Sequence, residues 1–127
     1  MATDSRRLRE VMRPVVSIGP NESIRLAAER MVEADVPAIL VMDEGKIVGL
    51  ISNRDLVAKA VARSLSPDVT KVSDVMNDQP VRVSDDRDIS SALLVMQARN
   101  VHQLVVQDFT GRIVGIFCDC GCSEESI

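Results

Sequence analysis

The chain has 127 residues, a formal net charge of −4, 46% apolar residues and 27% charged ones, which suits one compact domain with a core and excludes a disordered chain. With no Trp or Tyr, two Phe and an acidic balance, it lacks both the basic surface and the stacking rings of a nucleic-acid binder. No apolar run approaches the ~20 residues of a membrane span, and the charged first 13 residues carry no secretory signal. The expectation is a cytoplasmic protein with neither nucleic acid nor a membrane as partner.

Residues 1–13 predict a short leading helix ending before Pro14, and residues 15–18 a short strand. Gly19-Pro20-Asn21 is a turn, and Asn21 or Ser23 caps the next helix. In that helix Ile24, Ala27, Ala28, Met31 and Val32 form one apolar stripe. Residues 38–42 read as a strand, Asp43-Glu44-Gly45 as a turn and residues 46–51 as the returning strand of a hairpin. A helix from Ser52-Asn53 through about Arg63 should turn Leu56, Val57, Ala60 and Val61 inward, and residues 64–70 read as a linker.

The same order then recurs. A turn at 72–76, a strand at 81–83, a helix at 89–99 and a hairpin of 101–107 with 112–117 are predicted. Asp85, Asp86 and Asp88 precede the helix, where its dipole favours negative charge. After Phe117 ten residues remain, and Cys120-Gly121-Cys122-Ser123 starts a helix poorly, since Gly costs about 1 kcal/mol relative to Ala. The second copy is therefore expected to lack a full terminal helix, which leaves an apolar face for another chain to cover.

The recurrence is residue by residue. Leu8…Met12 returns as Val72…Met76, Ile24, Ala27 and Met31 as Ile89, Ala92 and Met96, and Ile47-Val48-Gly49 as Ile113-Val114-Gly115, with an offset drifting from 64 to 66. Two such units, 1–66 and 67–127, predict an α+β fold of strand–helix–strand–strand–helix repeats about a pseudo-two-fold axis.

With Val11-Met12, Ile24…Ala27…Met31 and the run Ile39 to Leu56, the sequence resembles the CBS domain, and the two copies resemble a CBS pair, or Bateman module. The resemblance covers about residues 8–117. It implies a regulatory module binding an adenine nucleotide (AMP, ADP or ATP) or S-adenosylmethionine in the cleft between repeats, with no required cofactor. It also implies a homodimer joined through helices, and an effector protein that the sequence does not identify.

The family's ligand motif is Gly, apolar, any, Ser/Thr, any, any, Asp. Gly49-Leu50-Ile51-Ser52-Asn53-Arg54-Asp55 fits it throughout. Ser52 and the first N–H groups of the next helix suit a phosphate, Asp55 suits ribose hydroxyls, and Gly49 permits close backbone approach. Equally, Ser52 and Asp55 suit a plain helix cap. The resemblance adds Ser17 and Arg82 at the first-strand position, and Val36-Pro37-Ala38 and Val101-His102-Gln103 at the second-strand position, where backbone groups meet adenine. Arg82 suits a phosphate or plain solvent, and His102 a phosphate or a half-buried strand end. Val36, Ile39, Ile51, Val101 and Leu104 suit an adenine wall or ordinary core.

Gly115-Ile116-Phe117-Cys118-Asp119-Cys120-Gly121 departs from the motif, with Cys118 in place of Ser/Thr and Gly121 in place of Asp. One competent site, or two weak ones, is expected. An odd, clustered set of three cysteines is no disulfide framework. Cys118, Cys120 and Cys122 are weak candidates for a soft metal or a redox switch, since structural zinc wants four ligands at wider spacing. The sequence carries no nucleophile elbow, P-loop or HExxH, which points to a non-enzyme. A ligand-free dimerisation or docking module is the alternative function.

Overall fold

The structure is a computed structural model and describes residues 4–119. In chain order its elements are α1 (Leu8–Val11), β1 (Ser17–Ile18), α2 (Ile24–Ala34), β2 (Ala38–Asp43), β3 (Lys46–Ser52), α3 (Asn53–Asp55), a π-helical segment (Leu56–Val61), a 3-10 turn (Val72–Asp74), β4 (Arg82–Ser84), α4 (Ile89–Arg99), β5 (Gln103–Gln107) and β6 (Ile113–Cys118). No helix among the described residues is long and apolar enough to cross a membrane.

The chain divides into two compact units. A central unit holds Val16–Pro80, and a terminal unit joins residues 4–15 to 81–119. These units and the sequence repeats 1–66 and 67–127 are different divisions of the chain. The leader of each repeat packs in the unit built on the other repeat's sheet.

The central unit carries a three-stranded sheet, with β1 parallel to β2 and β2 antiparallel to β3. The β2–β3 turn places Glu44 and Gly45 at positive φ, as a tight hairpin turn requires. α2 starts where the Ser23 hydroxyl accepts from the Leu26 N–H at 3.2 Å, and it ends on Asp35 in the left-handed conformation. Ile24, Ala27 and Met31 bury the helix stripe against Ile39, Val41 and Ile51 of the sheet. Val72 and Val75, from the leader of the second repeat, close that core.

The terminal unit repeats the plan. β4 runs parallel to β5 and β5 antiparallel to β6. The register shifts between Val106 and Gln107, as it does between Val41 and Met42 in the central unit. Asp88 caps α4 by accepting from the Ser91 N–H at 2.7 Å, and Asn100 closes it at φ 54°. Leu8, fully buried, packs with Ile89, Ala92, Leu104 and Phe117.

Some expectations are corrected. The leading helix over 1–13 shrinks to Leu8–Val11, with residues 1–3 outside the described residues. Asp85 and Asp86, just before α4, also pair with Arg9, at 3.6 and 2.8 Å. The helix after Ser52 becomes π-wound at Leu56, shown by the Ala62 N–H donating to the Val57 carbonyl at 3.1 Å. Ala60 goes in, whereas Val57 and Val61, expected inward, are 64% and 73% exposed. The expected absence of a full second terminal helix falls at residues 120–127, outside the described residues.

Candidate functional site

The motif Gly49–Asp55 spans the end of β3 and the start of α3. Ser52 is the one buried polar side chain among the described residues, at 4% exposure. It faces Ala38 across the β2–β3 ladder, and the next residue, Asn53, donates its N–H to the Pro37 carbonyl at 2.9 Å. The junction of strand and helix therefore brings residues 36–38 beside residues 51–55, as the sequence pattern requires.

Ser52 and Asp55 form a reciprocal cap. The Asp55 N–H donates to the Ser52 hydroxyl at 3.2 Å, while the Ser52 N–H and hydroxyl donate to Asp55 Oδ2 at 2.9 and 3.0 Å. Asp55 Oδ1 meets the Lys59 ammonium at 3.2 Å, one helical turn on. A carboxylate offers about four acceptor positions, and three are engaged here. The cap is thus realised in the chain as it stands. A diol arriving at Asp55 finds one position open. A second opens if the Ser52 hydroxyl rotates its hydrogen away, as it can toward a phosphate.

The other candidates of the central unit separate by burial. Ile51 is fully enclosed and Val36 nearly so, both in the core, and Ala38 is buried. Ser17 is exposed on β1, and its carbonyl accepts from Arg30 Nη1 at 2.8 Å. Arg54 is exposed and has no hydrogen bond or ion pair to another described residue. What approaches Gly49 is protein: a Cβ there would lie 2.6 Å from Met76 Sδ and 2.8 Å from the Asn77 carbonyl oxygen. Leu50 and Asn77 exchange both backbone hydrogen bonds at 2.9 Å. Sequence reasoning missed this clamp, and it missed Lys59. The i,i+4 spacing of Lys59 from Asp55 was a readable signal, whereas its 3.0 Å bond to the Val75 carbonyl was not.

In the terminal unit, Arg82 is exposed on β4, and Val101 packs partly buried on the core. His102 Nδ1 lies 2.9 Å from Asp119 Oδ2, and the Asp119 N–H donates to the His102 carbonyl at 3.2 Å. Leu104 is wholly core. Cys118 is disulfide-bonded, so it is not the free thiolate that a metal ligand needs. Cys120 and Cys122 lie outside the described residues. Among the described residues no three His, Cys, Asp or Glu side chains gather as a metal would require.

A separate apolar groove of about 550 Å³ lies in the central unit, between α2 and the π-helical segment. Ile24, Ala28, Val32, Ala60, Val61 and Leu65 line it, and Glu29 and Glu33 stand among its lining residues.

The family profile of the CBS domain matches residues 8–62 and 72–119. The chain belongs to the CBS domain family. An uncharacterised protein of Methanopyrus kandleri is 28% identical over 105 residues, covering 82% of this chain and 54% of the relative. The chain thus spans about half the length of that curated relative. A conserved protein of Pyrococcus horikoshii superposes with a TM-score of 0.83 at 22% identity, covering 98% of this chain and 95% of that one, which speaks to the fold. A CBS domain protein of Pyrobaculum aerophilum, solved in complex with AMP, gives a TM-score of 0.76 at 26% identity, covering 89% and 86%.

Proposed function

We propose that this CBS pair is a non-catalytic regulatory module that binds an adenosine-containing ligand, AMP, ADP, ATP or S-adenosylmethionine, at Gly49–Asp55. The observation carrying this reading is the buried Ser52 paired with Asp55 at the strand–helix junction. Burying a hydroxyl is unfavourable unless it is bonded, and here it sits where it can turn from a carboxylate to a phosphate. The AMP complex of the Pyrobaculum relative supports the ligand class.

Asp55 accepts from the ribose, Ser52 donates to a phosphate or carboxylate of the ligand, and exposed Arg54 supplies a fixed positive charge. The backbone at Val36–Ala38 meets the adenine edge, and Ser17 lies at the neighbouring first-strand position. Arg82, Val101 and His102 form the matching half-site of the terminal unit. Its lack of a carboxylate at Gly121 makes it the weaker one. Occupancy passes to an effector protein, which requires that the ligand prefer one conformation of the module.

Titration with AMP, ADP, ATP and S-adenosylmethionine while following thermal unfolding tests this. A ligand that binds only the folded chain adds about 2.7 kcal/mol at a hundredfold excess over Kd. No shift with any of the four at millimolar concentration overturns the ligand reading.

A second reading rests on the apolar groove and on Val32, Val57 and Val61, which are 82%, 64% and 73% exposed. In it the chain is a homodimerisation and docking module that needs no ligand. Asp55, with most of its acceptor positions engaged, is then only a cap. Sedimentation velocity of the ligand-free protein separates a dimer built on this face from a monomer.

A further inference from the structure

We infer that Lys59 is a positioning residue that couples occupancy of the Ser52–Asp55 site to the segment Val72–Asn77. The inference rests on the ligand reading of that site and adds the route by which occupancy leaves it.

Lys59 Nζ stands between two acceptors of different origin. One is Asp55 Oδ1 at 3.2 Å, and the other is the Val75 carbonyl at 3.0 Å. The first belongs to the ligand motif. The second belongs to the leader of the other repeat, which is anchored in the central core by Val72 and Val75, both essentially without exposure. The same leader grips the other end of the motif. Met76 and Asn77 lie over Gly49, and Asn77 pairs with Leu50 through two backbone bonds of 2.9 Å. The motif is therefore held at both ends by one six-residue stretch, 72–77. At the Gly49 end the grip is rigid backbone. At the Asp55 end it is a single ammonium on a flexible stem.

An ammonium carries three donor hydrogens and shares them according to the acceptors' charge. When ligand hydroxyls donate to Asp55, they compete for the Oδ1 lone pairs and spread its charge. Lys59 then commits more fully to the Val75 carbonyl, and the 3-10 turn at Val72–Asp74 tightens. The side chain of Lys59 is 37% exposed, so its replacement leaves no hole in the core. In the sequence of the second repeat neither the carboxylate nor the lysine recurs: Gly121 and Glu125 stand at those positions.

The test is amide hydrogen exchange of the full chain with AMP as the probe and S-adenosylmethionine in parallel, with affinities from calorimetry. In the unsubstituted protein, AMP slows the Val75, Met76 and Asn77 amides about tenfold, the scale of one charge-assisted hydrogen bond. Lys59→Met speeds those amides in the ligand-free protein and, at saturating AMP, abolishes the slowing. Lys59→Arg, which retains donors for both oxygens, restores it. Equal slowing in Lys59→Met, or AMP binding without slowing in the unsubstituted protein, overturns the coupling and leaves the ligand reading standing. Binding of neither probe to the unsubstituted protein overturns both.

Discussion

The two units share a backbone and differ in what is written on it. Each pairs a leader methionine with a glycine of the sheet: Met76 Sδ at 2.6 Å from where a Cβ of Gly49 would lie, and Met12 Sδ at 2.6 Å from that of Gly115. Each has an 11-residue helix capped by a short polar side chain and closed in the left-handed conformation. At the strand–helix junction they part. The central unit has Ser52, Asp55 and Lys59 in one hydrogen-bonded set, whereas the terminal unit has a disulfide-bonded Cys118 and a His102–Asp119 pair. A frame this repetitive constrains the glycines, caps and buried stripe, and leaves the junction free to diverge. The chemistry to be tested is therefore the part that is not duplicated.

The largest effect should come from the shared frame. Leu8 is fully buried in the terminal unit, in one core with Val83, Ile89 and Leu104 from the far end of the chain. Leu8→Ala should lower stability by about 2–5 kcal/mol, as enclosed leucines do. The equivalent Val72→Ala should cost less, since it removes one buried carbon fewer. Chemical denaturation measures both. A Leu8→Ala loss under about 0.5 kcal/mol would mean that the leader is not part of the core.

The next effect belongs to the divergent junction. Asp55→Ala should weaken AMP binding by about 1.5–3 kcal/mol, the worth of hydrogen bonds to a charged acceptor. Asp119→Ala, in the terminal unit, should change it little. Because Asp55 also caps α3, the variant should lose about 1 kcal/mol of stability as well. Calorimetry and denaturation read the two losses separately. Equal affinity loss in both variants would dissolve the contrast between the units.

How far the sequence alone reached obeys the same division. Helix 89–99 was readable residue for residue, because a 3.6-residue apolar stripe and the aspartates before it both fall inside one local window. The hairpins were readable to within a residue or two. The candidates at 36–38 and 51–55 do come together, since the β2–β3 register sets Ala38 opposite Ser52. The exchanged leaders were not readable, because their partners are far along the chain: the Leu8 N–H donates to the Arg87 carbonyl, and the Val72 N–H to the Glu22 carbonyl. The exposure of Val57 and Val61 was not readable, because an apolar stripe of Leu56, Val57, Ala60 and Val61 does not say which of its edges the core takes. Gly49 was read as an opening for a ligand, and its neighbours in the fold are Met76 and Asn77.

The smallest predicted effect separates the two hairpins. The β2–β3 turn is closed by backbone conformation, with Glu44 and Gly45 at φ of 51° and 78°. The β5–β6 turn also has a positive-φ glycine, Gly111 at 89°, and a 2.9 Å bond from the Asp108 N–H to the Arg112 carbonyl, and it adds a carboxylate. Asp108 Oδ1 accepts from the Thr110 hydroxyl at 2.6 Å, the Thr110 N–H at 2.9 Å and the Arg112 N–H at 3.1 Å. The Thr110 side-chain bond is the main cause that holds the Asp108 carboxyl below its ordinary value of 3.8, helped by the two backbone N–H groups. A carboxyl whose folded pKa is depressed contributes stability that is fully present above its unfolded pKa and is lost as pH falls through the folded one. Acidification through and below 3.8 should therefore loosen residues 108–112 before it loosens residues 43–46. Amide exchange at Thr110 and Arg112, compared with Lys46 across that range, measures the difference. Asp108→Asn should remove the pH dependence at Thr110 and leave Lys46 unchanged. Equal acid sensitivity of the two turns would show that the carboxylate does not help to close the second.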